Sequence, residues 1–210
     1  MSPDRRPYDA GRRQDAARRS RAAVLAACRE LLARDGYQAT TIRAVAERAG
    51  VSVETVYKAF GGKPGLVKAL WDVTLAGDDE PLAMAQRPAL REVWSTRDPH
   101  TKVRLYAAFV RGVHERLGTL SALLVQAGPG VAQVLADSEA ERLTGVTAFV
   151  AHLAEQDALR PGTDTVRAAD SCWALTGPQL FTQLTVGRGW SPESYQEWLA
   201  GLLAGTLLDG

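Results

Sequence analysis

The chain has 210 residues, of which 46% are hydrophobic, and a formal net charge of +1; these values suit one large globular domain or two small ones. It contains no run of about 18 apolar residues, which excludes a transmembrane helix, and its arginine-bearing N-terminus lacks the apolar segment of a secretory signal. We therefore expect a cytoplasmic protein whose two cysteines, Cys28 and Cys172, are buried free thiols.

The small net charge hides a division along the chain. Residues 1–70 hold 14 Lys and Arg against 7 Asp and Glu, whereas residues 71–210 hold 11 against 17. A basic segment attracts a polyanion and an acidic one repels it. The charge pattern therefore predicts that the N-terminal third is the part that approaches nucleic acid.

The N-terminal segment is predicted to hold an arm and one helix. Residues 1–13 combine Arg, Pro and Asp without periodicity, which favours a disordered basic arm that either contacts DNA or remains a solvated tail. A helix is expected from about Asp15 to Arg34, ending before Gly36. Its apolar stripe comprises Val24, Leu25, Cys28, Leu31 and Leu32.

Residues 41–60 predict two short helices joined by a tight turn. Thr41 can cap the first helix and Ser52 the second, because a hydroxyl accepts a hydrogen bond from a free N–H of the opening turn. Gly50 ends the first helix, where a left-handed backbone suits a residue without a Cβ. The apolar positions at helical spacing are Ile42, Val45, Ala46, Ala49, Val53, Val56 and Phe60. This pattern is typical of a helix-turn-helix.

The remainder of the chain is also predicted to be helical. A fourth helix begins at Pro64, and the loop after it contains one short helix near Leu90–Trp94. Beyond Pro99, helical patterning covers residues 99–117, 120–127, 131–156, 164–186 and 192–208. Pro178 should kink the helix that contains it. The expected fold is all-α, with a helix-turn-helix domain over 14–74 and a helical domain over 75–210.

Residues from about Ala16 to Trp71 resemble the TetR family of bacterial transcriptional regulators. The matching positions are Gly36-Tyr37, Thr40-Thr41, Ala46, Ala49-Gly50-Val51-Ser52, Thr55-Val56-Tyr57, Phe60, Gly61, Lys63 and Leu66. The C-terminal stretches WALTGPQL and RGWSPESYQEWLAGLLAGTLL resemble the final helices of a subset of this family. The resemblance implies a helical C-terminal domain that encloses a ligand pocket and forms a homodimer through its last two helices.

A DNA-binding surface is expected on the helix-turn-helix. A helix in the major groove presents its N-terminal residues to base edges. Here these residues are Val53, Glu54, Thr55 and Lys58. The resemblance implies that Tyr57 and Thr41 bond to phosphates. Arg43, Ser52 and Lys63 complete the predicted set, Lys63 because it precedes a helix whose N-terminal dipole favours an anion.

Two of these residues depart from the family pattern. Many relatives carry Lys or Arg at the position of Val53 and Gly at that of Glu54, so we expect a different operator preference.

Three of the predicted DNA-binding residues have alternative roles. Tyr57 could belong to the core, Arg43 could be solvated, and Glu54 could serve only the dipole of its own helix.

Two further residue sets are expected in the C-terminal domain. The aromatic and polar groups that suit a cavity for an amphipathic or aromatic effector are Tyr106, Phe109, His114, Phe149, His152, Trp173 and Gln179. The apolar residues expected at a four-helix dimer interface are Leu180, Phe181, Leu184, Trp198, Leu199, Leu202 and Leu203. The alternative for every member of both sets is packing within a single subunit.

The sequence thus predicts a ligand-responsive regulator, a repressor that binds a palindromic double-stranded DNA operator as a homodimer and is released by an unknown small molecule. One alternative is a regulator that binds DNA constitutively, with a filled core. The other is a helical-bundle enzyme, which three histidines without a Glu-x-x-His pair do not favour. We expect no catalytic residues, no cofactor, no metal and no membrane partner.

Overall fold

The computed structural model describes the backbone of residues 6–209 and the side chains of residues 11–209. This part of the chain contains ten α-helices: α1 (Arg6–Ala39), α2 (Ile42–Ala49), α3 (Val53–Phe60), α4 (Lys63–Ala76), α5 (Pro88–Ser95), α6 (Pro99–Gln126), α7 (Ala132–Glu155), α8 (Thr165–Leu175), α9 (Pro178–Thr185) and α10 (Pro192–Leu207). Short 3-10 turns occupy Met84–Gln86 and Gly128–Val131. Between residues 6 and 209 there is no β-strand, only an isolated bridge joining Leu159 and Leu208. The all-α prediction is confirmed.

Helix α1 is longer than the sequence suggested. It begins at Arg6, so residues 6–13 of the expected disordered arm are helical, whereas residues 1–5 lie outside the described part. The predicted apolar stripe is buried from Val24 to Leu32. At Gly36 the backbone leaves helical geometry, with φ 76° and ψ 174°, which turns the chain toward α2.

Helices α2 and α3 have the predicted caps. The Thr41 hydroxyl accepts a hydrogen bond from the Ala44 amide at 3.1 Å, and the Ser52 hydroxyl accepts one from the Thr55 amide at 3.1 Å. Gly50 adopts the left-handed conformation, with φ 68°, between the two helices. The residues buried on their inner faces are Ile42, Val45, Ala46, Val56 and Phe60. These features confirm the helix-turn-helix.

The chain divides into two compact units. The first, which we call the head, contains the described residues up to Asp79 together with Thr119–Val134. The second, which we call the body, contains Glu80–Gly118 and the residues from Leu135 onward. The sequence predicted one boundary near residue 75. It did not predict that Thr119–Val134 belongs to the head. Helices α6 and α7 each contribute residues to both units.

The body has its own apolar core. The rings of Tyr106 and Phe149 stack with centroids 3.8 Å apart, and Val103, Cys172 and Leu203 are buried in the same cluster. Two predicted helices, over 99–117 and 120–127, form the single helix α6. The helix expected over 164–186 is interrupted rather than kinked, because the proline at 178 begins a new helix, α9.

Both cysteines are buried and free, as predicted. Burial raises the pKa of the Cys28 thiol and of the Cys172 thiol to about 12. Neither residue is therefore a thiolate at neutral pH, and both serve as small apolar core residues.

Candidate nucleic-acid interface

The outer face of α3 is exposed along its whole length. Val53 is 39% exposed and Tyr57 53% exposed, whereas Val56 and Phe60 are buried on the opposite face. The exposed side of α3 also carries Glu54, Thr55 and Lys58. A short helix that leaves a valine and a tyrosine in solvent presents a surface suited to a partner. The structure thus places the predicted base-reading residues on one accessible face.

These side chains differ in what they can do. Lys58 is a cation that can bind a guanine edge or a phosphate, and the Val53 methyl groups can pack on a thymine methyl. Glu54 is an acceptor that can bind a cytosine amino group. The Thr55 hydroxyl is already engaged, because it lies 2.8 Å from the Ser52 hydroxyl that caps α3. The hydroxyl groups of Ser52 and Thr55 are therefore engaged at the N-terminus of α3.

Residues of α2 lie beside this face. Arg43 forms an ion pair with Glu47 at 3.2 Å, and both side chains are largely exposed. Such an exposed pair stabilises the helix by only about 0.3–0.5 kcal/mol, so a phosphate can displace the carboxylate. Thr41 uses its hydroxyl as the α2 cap and is exposed. Its position at a helix N-terminus, where free N–H groups attract an anion, supports the predicted phosphate contact.

Lys63 does not match its expected role. Its ammonium group donates a hydrogen bond to the backbone carbonyl of Tyr37, lies 3.5 Å from the carbonyl of Gln38, and sits 4.0 Å from the centroid of the Tyr37 ring. Burial lowers the pKa of Lys63. The side chain thus satisfies carbonyls at the end of α1, and its predicted phosphate contact stays a prediction that this geometry does not favour.

The sequence did not predict the contact that joins residues 119–134 to the rest of the head. The Tyr37 hydroxyl donates to the Gly130 carbonyl at 2.9 Å, and the Gln38 side-chain amide donates to the Ala127 carbonyl at 3.2 Å. A Cβ at Gly130 would lie 2.6 Å from the Tyr37 ring, so the close approach needs glycine. The only signal in the sequence is the Gly128-Pro129-Gly130 turn.

In the body, the predicted effector residues fall into separate groups. Tyr106, Phe109 and Phe149 form one aromatic group, and His152 adjoins it through the Trp94 ring, 5.2 Å away. His114 is buried elsewhere, and its Nε2 lies 3.0 Å from the Thr176 carbonyl. Gln179 is exposed on α9, apart from both of these groups, and its place among the effector residues stays a prediction.

Two body residues that the sequence did not single out adjoin these groups. Arg142 lies 4.6 Å from the Trp173 ring centroid, donates to the Trp173 carbonyl at 2.7 Å, and pairs with Glu139. Tyr195 is fully buried, and its ring lies 5.0 Å from that of Phe181. The Tyr195 hydroxyl and the Trp173 indole N–H are buried donors that lack a hydrogen-bond partner among residues 11–209. Burial raises the pKa of Tyr195 to about 12, so its hydroxyl keeps its proton.

The residues predicted at the dimer interface differ in how deeply they are buried. Leu199 and Leu203 have no exposed surface because they lie in the core of the body. They cannot contact a second subunit, and their assignment to the interface is wrong. The half-buried members of the set, which stay a prediction, are Leu180, Phe181, Leu184, Trp198 and Leu202.

The described part of the chain contains neither a metal-binding cluster nor a membrane-spanning helix. Among residues 11–209, no group of three or more His, Cys, Asp or Glu side chains is placed to hold a metal ion. No helix in the same part has the length and apolar character needed to cross a membrane.

A groove of about 290 Å³ lies on the body between α6 and α10. Its lining residues are His100, Arg104, Gln196, Glu197, Ala200, Gly201 and Ala204. None of the predicted effector residues lines this groove.

Comparisons with known proteins agree with this geometry. Residues 24–70 match the profile of the family described as bacterial regulatory proteins, tetR family. Over 47 residues the chain is 47% identical to the uncharacterized HTH-type transcriptional regulator YvkB of Bacillus subtilis (strain 168). This match covers 22% of the chain and only 25% of the relative.

Solved structures extend the likeness to nearly the whole chain. One is NalD, the secondary repressor of the MexAB-OprM multidrug efflux pump in Pseudomonas aeruginosa, with a TM-score of 0.65 and 18% identity over 92% of this chain and 98% of that one. Another is the transcriptional regulator FadR of Bacillus subtilis in complex with stearoyl-CoA, with a TM-score of 0.66 and 15% identity over 88% and 97% of the two chains. At these identities the likeness shows a shared fold.

Proposed function

Since this chain belongs to the TetR family of bacterial regulatory proteins through its N-terminal domain, we propose that it is a transcriptional repressor that binds a palindromic DNA operator as a homodimer and is released by a small-molecule effector. The observation that carries the DNA-binding part is the exposed face of α3, with Val53, Tyr57 and Lys58 accessible on a helix whose other face is buried. Its N-terminal residues read bases, and exposed groups of α2 and α3 hold the phosphates.

Tyr57→Phe is expected to weaken binding to every DNA sequence by about the same factor. The variant removes one phosphate hydrogen bond of about 1 kcal/mol, which corresponds to roughly fivefold in the dissociation constant. Fluorescence anisotropy with an operator duplex and a random duplex measures both affinities. A change in base preference, with affinity for random DNA unaltered, would contradict the phosphate role.

Glu54→Gly is expected to change the preferred operator more than the affinity for random DNA. Glu54 is exposed near the start of α3, where a carboxylate accepts from a cytosine amino group but repels phosphates. Selection from a randomised duplex library, carried out with wild type and variant, identifies the site each prefers. Recovery of the same site from both proteins would show that Glu54 does not read bases. Failure of the wild type to enrich any site would overturn the DNA-binding proposal itself.

The effector part of the proposal is supported by the body. Leaving a buried donor unpaired costs about 1–3 kcal/mol, and Trp173 and Tyr195 each have one. An apolar molecule that carries hydrogen-bond acceptors would pair with such donors. The FadR neighbour was solved in complex with stearoyl-CoA, which is consistent with effector binding in a domain of this fold.

The proposed coupling runs through helices shared by the two units. An effector that shifts α6 or α7 within the body also displaces Thr119–Val134, the part of the head that Tyr37 and Gln38 bind. By linkage, the effector must bind the DNA-incompetent arrangement more tightly, typically by about 1–3 kcal/mol. A dimer would change the spacing of its two α3 helices, which must match half-sites about 34–36 Å apart or a multiple of that.

A thermal-shift screen against apolar metabolites and drugs tests effector binding. The expected result is a compound that raises the melting temperature and lowers affinity for the selected operator in proportion to its concentration. The rival function is a regulator that binds DNA constitutively. Tight operator binding without stabilisation by any compound would favour that rival. Sedimentation of the free protein tests the homodimer, and a monomer at micromolar concentration would contradict it.

A further inference from the structure

The N-terminal part of α1 extends away from the core of the head. All residues from 11 to 19 are exposed, and the first buried residue of the helix is Val24. At about 3.6 residues per turn, residues 11–19 form about two and a half turns of helix, and no face of these turns is buried. Helices without packing are marginal in water, so burial does not explain this segment.

The composition of this extension, residues 11–19, favours an anionic partner. It carries Arg12, Arg13, Arg18 and Arg19 against a single acid, Asp15. Arg18 and Arg19 have no hydrogen bond or ion pair with any other residue in the described part of the chain. The other residues are small or polar, including Ala16 and Ala17, which favour a helix but provide no apolar face for insertion into a lipid surface.

The extension ends beside the helix-turn-helix, at the last residue of α3. Near its end, the Arg21 guanidinium lies 5.1 Å from the ring centroid of Phe60, the last residue of α3, and pairs with Asp79 at 3.0 Å. Residues 18 and 19 therefore come less than one helical turn before a point beside the end of α3. Their positive charge therefore lies close to the helix-turn-helix.

We propose that the extension binds DNA phosphates flanking each operator half-site, through the guanidinium groups of Arg18 and Arg19. This inference rests on the proposed DNA-binding function. A helix about 10–12 Å across is too wide for a minor groove about 6 Å wide, so the expected target is the backbone rather than base edges. The contact is independent of sequence and adds to the affinity that α3 supplies.

The test is the salt dependence of binding to a random-sequence duplex, measured by fluorescence anisotropy. Each phosphate contact contributes about −0.9 to the slope of log K against log salt concentration. The variant Arg18→Gln/Arg19→Gln is expected to reduce that slope by about 1.8 per bound protomer. Arg18→Lys/Arg19→Lys keeps both charges and should retain the wild-type slope. Glutamine is a good helix former, so circular dichroism should show unchanged helix content.

A matched control removes two charges from the body. Arg91 and Arg188 are exposed there, and Arg91→Gln/Arg188→Gln is expected to keep the wild-type slope. An unchanged slope in the Arg18→Gln/Arg19→Gln variant would refute the extension's role while leaving the proposed function intact. Equal losses in the control would also refute it, because net charge alone would then explain the effect. Absence of wild-type binding to any duplex would instead refute the proposed function.

Discussion

Gly65→Ala is expected to destabilise the head and abolish specific DNA binding. A Cβ at this position would lie 1.9 Å from the backbone carbonyl oxygen of Phe60, the last residue of α3. Because that oxygen belongs to the backbone, it cannot rotate away as a side chain would, and the junction of α3 with α4 must open. Overpacking of this kind costs about 3 kcal/mol, which exceeds the gain of about 1 kcal/mol from replacing a helical glycine by alanine.

The expected measurement is a melting temperature lower by about 6 °C, together with loss of affinity for the selected operator. Gly145→Ala is the matched control, because Gly145 lies inside α7 and a Cβ there meets nothing within 4 Å. That substitution should raise stability by up to about 1 kcal/mol through helix propensity alone. If both variants were equally stable and bound DNA equally, neither stability nor DNA binding would depend on the close approach at Gly65.

The parts of the fold that follow local rules could be predicted from the sequence. The caps at Thr41 and Ser52 and the left-handed Gly50 depend on a few neighbouring residues, so the pattern alone defines them. The exposure of Val53 beside the buried Val56 follows from helical periodicity in the same way. These local features were sufficient to place the candidate DNA-binding face.

Features that depend on tertiary packing could not be predicted. Lys63 is flexible enough to reach either solvent or the carbonyl of Tyr37, 26 residues earlier in the chain, and nothing local decides between them. Leu199 and Leu203 show the periodicity of a buried stripe, but periodicity does not distinguish a subunit's own core from an interface. Residues 6–13, the first turns of α1, lack apolar periodicity and include Pro7 and Gly11, so nothing in the local sequence indicated a helix there.

His114 is expected to make the stability of the body strongly dependent on pH. It is buried, its Nε2 lies 3.0 Å from the Thr176 carbonyl between α8 and α9, and burial is the main cause that lowers its pKa from 6.5 to about 4. The Thr176 hydrogen bond and Glu139 oppose this shift, and Arg142 adds to it. A carbonyl only accepts, so Nε2 carries the proton of the neutral ring at pH 7.

His114 takes up a proton near pH 6.5 in the unfolded chain but only near pH 4 in the folded chain. The stability that the neutral, buried ring contributes is therefore complete above pH 6.5 and is lost as the pH falls from 6.5 to 4. A difference of about 2.5 pKa units corresponds to about 3 kcal/mol of unfolding free energy. Urea denaturation of wild type and His114→Gln at several pH values measures it. The advantage of wild type over the variant should shrink by that amount from pH 7 to pH 4, whereas parallel curves would show that His114 is not held neutral.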